Sequence, residues 1–152
     1  MSIYARLEEL PLDPAAELEA LTQEAAEDGA VVSFVGLARS VGHGGQEVKK
    51  LVLEHHPRLT AASLQKIASD TASRFDVSHV HVVHRCGEIQ PRQPIVFAAA
   101  ASVHRRAAFE AADYLMDRLK TEAVFWKREE GPAGSNWIEP TENDYADRGR
   151  WE

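Results

Sequence analysis

The chain has 152 residues, 44% of them hydrophobic and 27% charged, with a net charge of −7 at pH 7. This length fits one domain with a sizeable core. The acidic balance argues against nucleic acid, which wants a broad basic face, and no apolar run is long enough for a membrane span. The N-terminus, Met1–Arg6, lacks the basic-then-apolar pattern of a secretory signal. The single cysteine, Cys86, excludes an internal disulfide and fits a reducing, cytoplasmic setting. Cys86 itself reads as a small buried apolar side chain near a strand end.

Asp13-Pro14 reads as an N-cap followed by proline at the first helical position, which predicts a helix over 14–28 ended by Gly29. Its many acids read as a solvated face. Ala30–Ala38 is a continuous apolar run and predicts a central strand buried on both faces. Three glycines then crowd into residues 42–45, a mobile loop without a P-loop or dinucleotide fingerprint. Val48–Glu54 predicts a strand that Pro57 breaks. Thr60 is placed as the cap of a helix over 61–75, with Leu64, Ile67, Ala68, Ala72 and Phe75 as one apolar stripe. Strands follow over 77–85 and 95–103, separated by a turn at Pro91–Pro94. His104 or Arg105 opens a helix with Ala108, Ala111, Ala112, Leu115 and Leu119 as its buried stripe. The last thirty residues carry Gly131, Pro132, Gly134 and Pro140 and read as irregular with two short strands. Hairpins mixed with crossovers indicate an α+β fold with three main helices, one domain over 1–140 and an irregular tail over 141–152.

The charge distribution is uneven. From His104 to Arg128, six lysines and arginines face four aspartates and glutamates, leaving that window at +2 and the remainder at −9. A positive island on an acidic chain is the footprint of a small-anion site. Arg105 and Arg106 sit where the helix macrodipole disfavours cations, and a bound phosphate or carboxylate at the free N–H groups of that first turn would reverse the sign. Lys120 lies at the far end of the same helix, followed by Phe125-Trp126-Lys127-Arg128, whose rings can form a water-excluding wall. Arg105 and Lys120 are about 22 Å apart along the helix axis at 1.5 Å per residue. If both serve one site, they come from two copies of the chain related by a two-fold axis.

These residues, with Phe34-Val35-Gly36 and Arg39, Leu53-Glu54-His55 and Pro57, His84-Arg85 with Gly87-Glu88, Phe109-Glu110-Ala111 and Met116-Asp117, give a chain that resembles the large, catalytic subunit of molybdopterin synthase from about Ala30 to Glu139. The resemblance implies an α/β-hammerhead-like mixed sheet. It also implies a sulfurtransferase that inserts two sulfurs into cyclic pyranopterin monophosphate to form the molybdopterin dithiolene, in molybdenum cofactor biosynthesis. The implied partner is a small ubiquitin-like subunit with a C-terminal Gly-Gly thiocarboxylate. The implied assembly is a homodimer within a heterotetramer, with no cofactor and no metal. Lys120 and Lys127 match the catalytic lysines. Leu37, Ala38, Arg39, His104, Arg105, Lys120, Lys127, Arg128 and Glu129 would contact substrate. Lys120 is the first candidate for acid–base work, and Lys127 is the one to hold phosphate or the donor's carboxyl terminus. Arg39 beside the glycine loop implies that the loop folds over substrate. The chain departs from the family pattern at Val124, where proline is usual, at His56, where tyrosine is common, and at Pro91-Arg92-Gln93, which lacks its usual glycine.

Two other readings remain at this point. A noncatalytic adaptor could capture a partner's C-terminal carboxylate with the same lysines. A metal-dependent hydrolase could be built on His79 and His81, which share one strand face, although no further ligands stand at a recognisable spacing. Trp137, Trp151 and the tail are candidates for docking the small subunit.

Overall fold

A computed structural model describes all 152 residues. In chain order the elements are β1 (Ser2–Glu8), α1 (Pro14–Glu24), β2 (Ala30–Leu37), β3 (Lys50–His55), α2 (Pro57–Arg74), β4 (His79–Arg85), β5 (Gly87–Ile89), β6 (Pro94–Ser102), α3 (Arg105–Glu122), β7 (Phe125–Gly131), β8 (Gly134–Ile138) and α4 (Glu142–Gly149). They form two four-stranded sheets, ordered β1-β4-β6-β2 and β5-β3-β7-β8. Only the β1–β4 pair is parallel. The α+β class and three long helices expected from the sequence are present, with a fourth, short helix added.

Alternation along β4 and β6 divides the core. Val80, Val82, Ala98 and Ala100 face α2 and α3, where they meet Leu64, Ile67, Ala68, Ala111 and Leu115. Val83, Phe97 and Ala99 point to the opposite face, onto Leu12 and Leu21 of the α1 segment. The strand covered on both faces is therefore β6, whose alanines let helices approach closely from either side. The expectation that Ala30–Ala38 is a central buried strand fails. β2 pairs only with β6 and forms the sheet edge, and Phe34, Val35 and Leu37 stand exposed. A continuous apolar run reports burial without saying whether the chain's own elements supply it.

Helix boundaries shift for identifiable reasons. Asp13 caps α1 as expected, accepting from the Ala16 N–H at 3.1 Å, but the helix stops at Glu24 and turns lead to Gly29 at φ +104°. Helix α2 starts at Pro57 rather than 61. His56 caps it, its Nδ1 accepting from the Arg58 and Leu59 N–H groups at 3.3 and 3.1 Å. Thr60 is instead buried, donating its hydroxyl to the Val124 carbonyl at 2.6 Å. Pro57 thus ends β3 and begins a helix at once.

The tail is not irregular. Residues 142–149 form α4, opened by a reciprocal capping box between Thr141 and Asp144. Arg148 pairs with Glu122 at 2.7 Å and Arg150 with Asp117 at 2.7 Å, which moors the tail to α3. Trp151 is not available for docking: its ring packs edge-on against Phe75 and Tyr114, and its Nε1 donates to Asp117. The acids of the 14–28 segment are also more than a solvated face. Glu17 bridges Arg6 at 2.9 Å and His81 at 2.8 Å, and Asp28 lies 3.2 Å from His79. His79 and His81 thereby lie against carboxylates of the chain, and neither belongs to a cluster of three ligand-type side chains, which leaves the hydrolase reading without a ligand set.

Candidate active site

The two sheets and the C-terminal half of α3 enclose a cavity of about 550 Å³. Its floor is apolar, from Leu51, Leu53, Ile95, Val96, Met116 and Leu119, and one side opens along the β2 edge at Phe34–Leu37. Its cations are Arg39, Lys120 and Lys127. Each is placed by a different element: Arg39 by the segment after β2, Lys120 by the last turns of α3, and Lys127 by β7, where alternation points Lys127 and Glu129 into the cavity. The same alternation turns Arg128 away. It pairs with Glu54 at 2.8 Å and lies over the Trp137 ring. Trp126 is exposed on that outer face as well, so the expected aromatic wall reduces to Phe125, which stacks on His84 with ring centroids 4.3 Å apart.

Of the residues expected at the site, the structure brings Leu37, Arg39, Lys120, Lys127 and Glu129 together. Ala38 is buried beside them and acts through its backbone: its N–H donates to the Gln93 carbonyl and its carbonyl accepts from Arg92 N–H, which fixes where Arg39 leaves the sheet. His104 and Arg105 are at the other end of α3, exposed and outside this cavity. His104 makes no side-chain cap, so the first-turn N–H groups of α3 stay open.

The lysines differ. Lys120 is exposed at the rim, whereas Lys127 is half-buried. Burial, with the neighbouring charge of Lys120 as a lesser cause, lowers the Lys127 ammonium to about 8. About a tenth of it is then neutral at pH 7.

Sequence reasoning missed His84 and His43. His84 lines the cavity, and burial pushes its pKa down to about 3, helped by the charges of Lys127 and Lys120. The imidazole is neutral, and its Nδ1–H donates to the Arg85 carbonyl at 2.9 Å, so Nε2 is left as an acceptor. The signal was present in the alternation of His79-Val80-His81-Val82-Val83-His84, where His84 falls on the opposite face from His79 and His81. His43 comes from the glycine loop, its ring 2.9 Å from Arg39 Nη1. That loop is a hairpin closed by Gly42 and Gln46 and by the Val41–Glu47 bridge. A second cavity of about 150 Å³ adjoins the first and shares His43, Lys120, Lys127 and Ile138 with it, so both lysines stand between two spaces.

The family model described as MoaE protein matches residues 7–122. The molybdopterin synthase catalytic subunit of Caulobacter vibrioides is 46% identical over 146 residues, covering 96% of this chain and 95% of that protein. Among solved structures, the molybdopterin biosynthesis MoaE protein from Burkholderia ambifaria superposes with a TM-score of 0.82 at 36% identity, over 98% of this chain and 97% of the other. Molybdopterin synthase from Staphylococcus aureus gives 0.76 at 26% identity, over 87% and 94%. An edge-open cavity with cations from three elements, on this fold and with this extent of likeness, places the chain in the MoaE protein family.

Proposed function

We propose that this chain is the catalytic subunit of a molybdopterin synthase, transferring two sulfurs from thiocarboxylated small subunits to cyclic pyranopterin monophosphate. The observation that carries the reading is the convergence of Arg39, Lys120 and Lys127 on one half-apolar cavity, with Lys127 held near 8. The apolar floor suits a flat pterin, and the cations suit its cyclic phosphate. Both lysines also border the adjoining narrow space, which fits an extended Gly-Gly tail.

In each transfer the thiocarboxylate sulfur attacks a side-chain carbon of the substrate. A C–S bond forms in both. In the one that opens the cyclic phosphate, a single C–O bond to phosphate breaks and the departing oxygen's charge falls on fixed cations. In the other, the oxygen on the neighbouring carbonyl-level carbon leaves as water, so the phosphate stays on the product through its second ester bond. Water then cleaves the acyl–sulfur bond, which leaves the sulfur on the pterin and returns the small subunit as a carboxylate. A base must take a proton from that water. From sequence Lys120 came first for this work. The enclosure of Lys127 moves the assignment to Lys127, because a general base functions best with its pKa near the working pH, and leaves Lys120 as the charge clamp at the rim.

The exposed β2 edge bears on the assembly. Phe34, Val35 and Leu37 are at once the open side of the cavity and part of a strand whose outer edge is unpaired. β2 runs from the entry of α3, where Ala30 pairs with Ser102, to the cavity at Leu37. A second copy packed there about a two-fold axis would close the cavity and carry its own His104 and Arg105 to it. In this reading the homodimer is the catalytic unit, with one small subunit serving each cavity in a heterotetramer.

The test is to combine the purified chain with cyclic pyranopterin monophosphate and a thiocarboxylated small subunit and to measure dithiolene. Lys127→Met should abolish product while small-subunit binding persists. A chain that binds a competent small subunit and never yields dithiolene is the adaptor instead.

A further inference from the structure

Away from the catalytic cavity, Glu9, His55 and Cys86 meet at one place. Glu9 follows β1, His55 ends β3, and Cys86 joins β4 to β5, so three elements of both sheets contribute. One carboxylate oxygen, one ring nitrogen and the thiol sulfur all lie within 4.8 Å of one another. None of the three side chains lines the catalytic cavity, and none is used in a hydrogen bond or ion pair elsewhere in the chain. The sulfur is buried, His55 is half-buried and Glu9 is exposed, so the cluster has a closed end and an entry from solvent.

We propose that Glu9, His55 and Cys86 form a binding site for a divalent cation of the zinc type. A tetrahedral ion holds S, N and O ligands at roughly 2.0–2.3 Å and hence about 3.3–3.7 Å from one another. The three atoms, already within 4.8 Å of one another, would have to draw closer by side-chain rotation, since the backbone is held by the Cys86 N–H bond to the Glu8 carbonyl and by the pairing of His55 with Phe125. The donor set selects the ion: thiolate and imidazole favour zinc and cobalt over magnesium and calcium, which want oxygen alone. The exposed Glu9 side would leave the fourth position to solvent.

Burial, and secondarily the nearby Glu9 charge, raise the Cys86 thiol above its ordinary value. In the metal-free chain the sulfur therefore carries its proton at pH 7. Binding breaks the S–H bond, forms the metal–sulfur bond and releases that proton to the buffer. The bound ion would tie β1, β3 and β4 together behind His84 and Phe125. This site is independent of the catalytic assignment.

The experiment titrates the full chain, stripped of metal, with cobalt(II) and then zinc(II). The expected result is one cobalt per chain, with a thiolate-to-cobalt charge-transfer band and tetrahedral ligand-field bands that stoichiometric zinc removes. Magnesium should not compete. Cys86→Ala should lose the charge-transfer band and weaken binding by at least about 100-fold, and Glu9→Gln, an exposed change that leaves the fold alone, by about 10-fold. Absence of a saturable one-to-one spectrum, or the same charge-transfer band in Cys86→Ala, or unchanged affinity in Glu9→Gln, would overturn the site.

Discussion

Replacing Lys127 with methionine should make the protein more stable and inactive. The ammonium falls from an ordinary 10.5 to about 8, with burial as the first cause and the Lys120 charge as the second. A shift of that size corresponds to about 3 kcal/mol of penalty on the protonated form. Water at the open side of the cavity and local relaxation bring the measurable part to about 1–2 kcal/mol. Below pH 8 the lysine is protonated in both folded and unfolded chains, and the whole penalty stands. Between 8 and 10.5 the folded chain has lost the proton and the unfolded chain keeps it, so stability rises with pH over that window. Methionine has similar length and no charge. Urea denaturation of both proteins from pH 6 to pH 10 should therefore show Lys127→Met ahead by about 1–2 kcal/mol up to pH 8, with the gap closing above it. A variant that is less stable at pH 7, or a gap that stays constant from pH 6 to 10, would refute the claim that an enclosed, costly charge is retained there.

Three further predictions concern the scaffold. Arg92 is the single non-glycine residue at positive φ, at 72°, in the turn that bonds Ala38 beside Arg39. Relief of about 1–2 kcal/mol of backbone cost, less about 0.5–1 for glycine's unfolded freedom, gives Arg92→Gly a net gain near 0.5–1 kcal/mol in urea denaturation; a net loss would count against the strain. A Cβ on Gly131 would lie 2.1 Å from the Glu47 carbonyl oxygen, so Gly131→Ala should cost at least about 2 kcal/mol in the same assay, and a neutral effect would mean that the strand edge yields. Trp151→Ala removes the ring packed on Phe75 and Tyr114 and should lower Tm by about 4–8 °C for about 2 kcal/mol lost, without changing small-subunit affinity. Weakened partner binding at unchanged Tm would return Trp151 to the docking surface.

The sequence made several things legible because one local rule decided each. Period-3.6 stripes placed α2 and α3, and Asp13-Pro14 placed the start of α1. What it hid was context. β2 and β6 carry equally apolar runs, and only pairing distinguishes the edge from the centre. Arg128 sits one residue from Lys127 and so points the opposite way, which motif membership does not reveal. Helix α4 was masked by the surrounding prolines and glycines, although Thr141-x-x-Asp144 is a capping pattern. The Glu9–His55–Cys86 cluster has no sequence spacing at all, since it is assembled from the residue after β1, the end of β3 and the link between β4 and β5. The missing glycine at the Pro91 turn was visible as a departure, and the structure gives its consequence as positive φ at Arg92.

The central claim is that one catalytic site draws Lys120 from one copy and Arg105 from the other. Chains carrying Arg105→Ala and Lys120→Ala are to be mixed, and the verified mixed dimer assayed for dithiolene with a competent small subunit. Each parent dimer should be nearly inactive, while the mixed dimer holds one intact site and one doubly defective site and should recover about half of wild-type activity. Mixed dimers no more active than their parents would contradict the account.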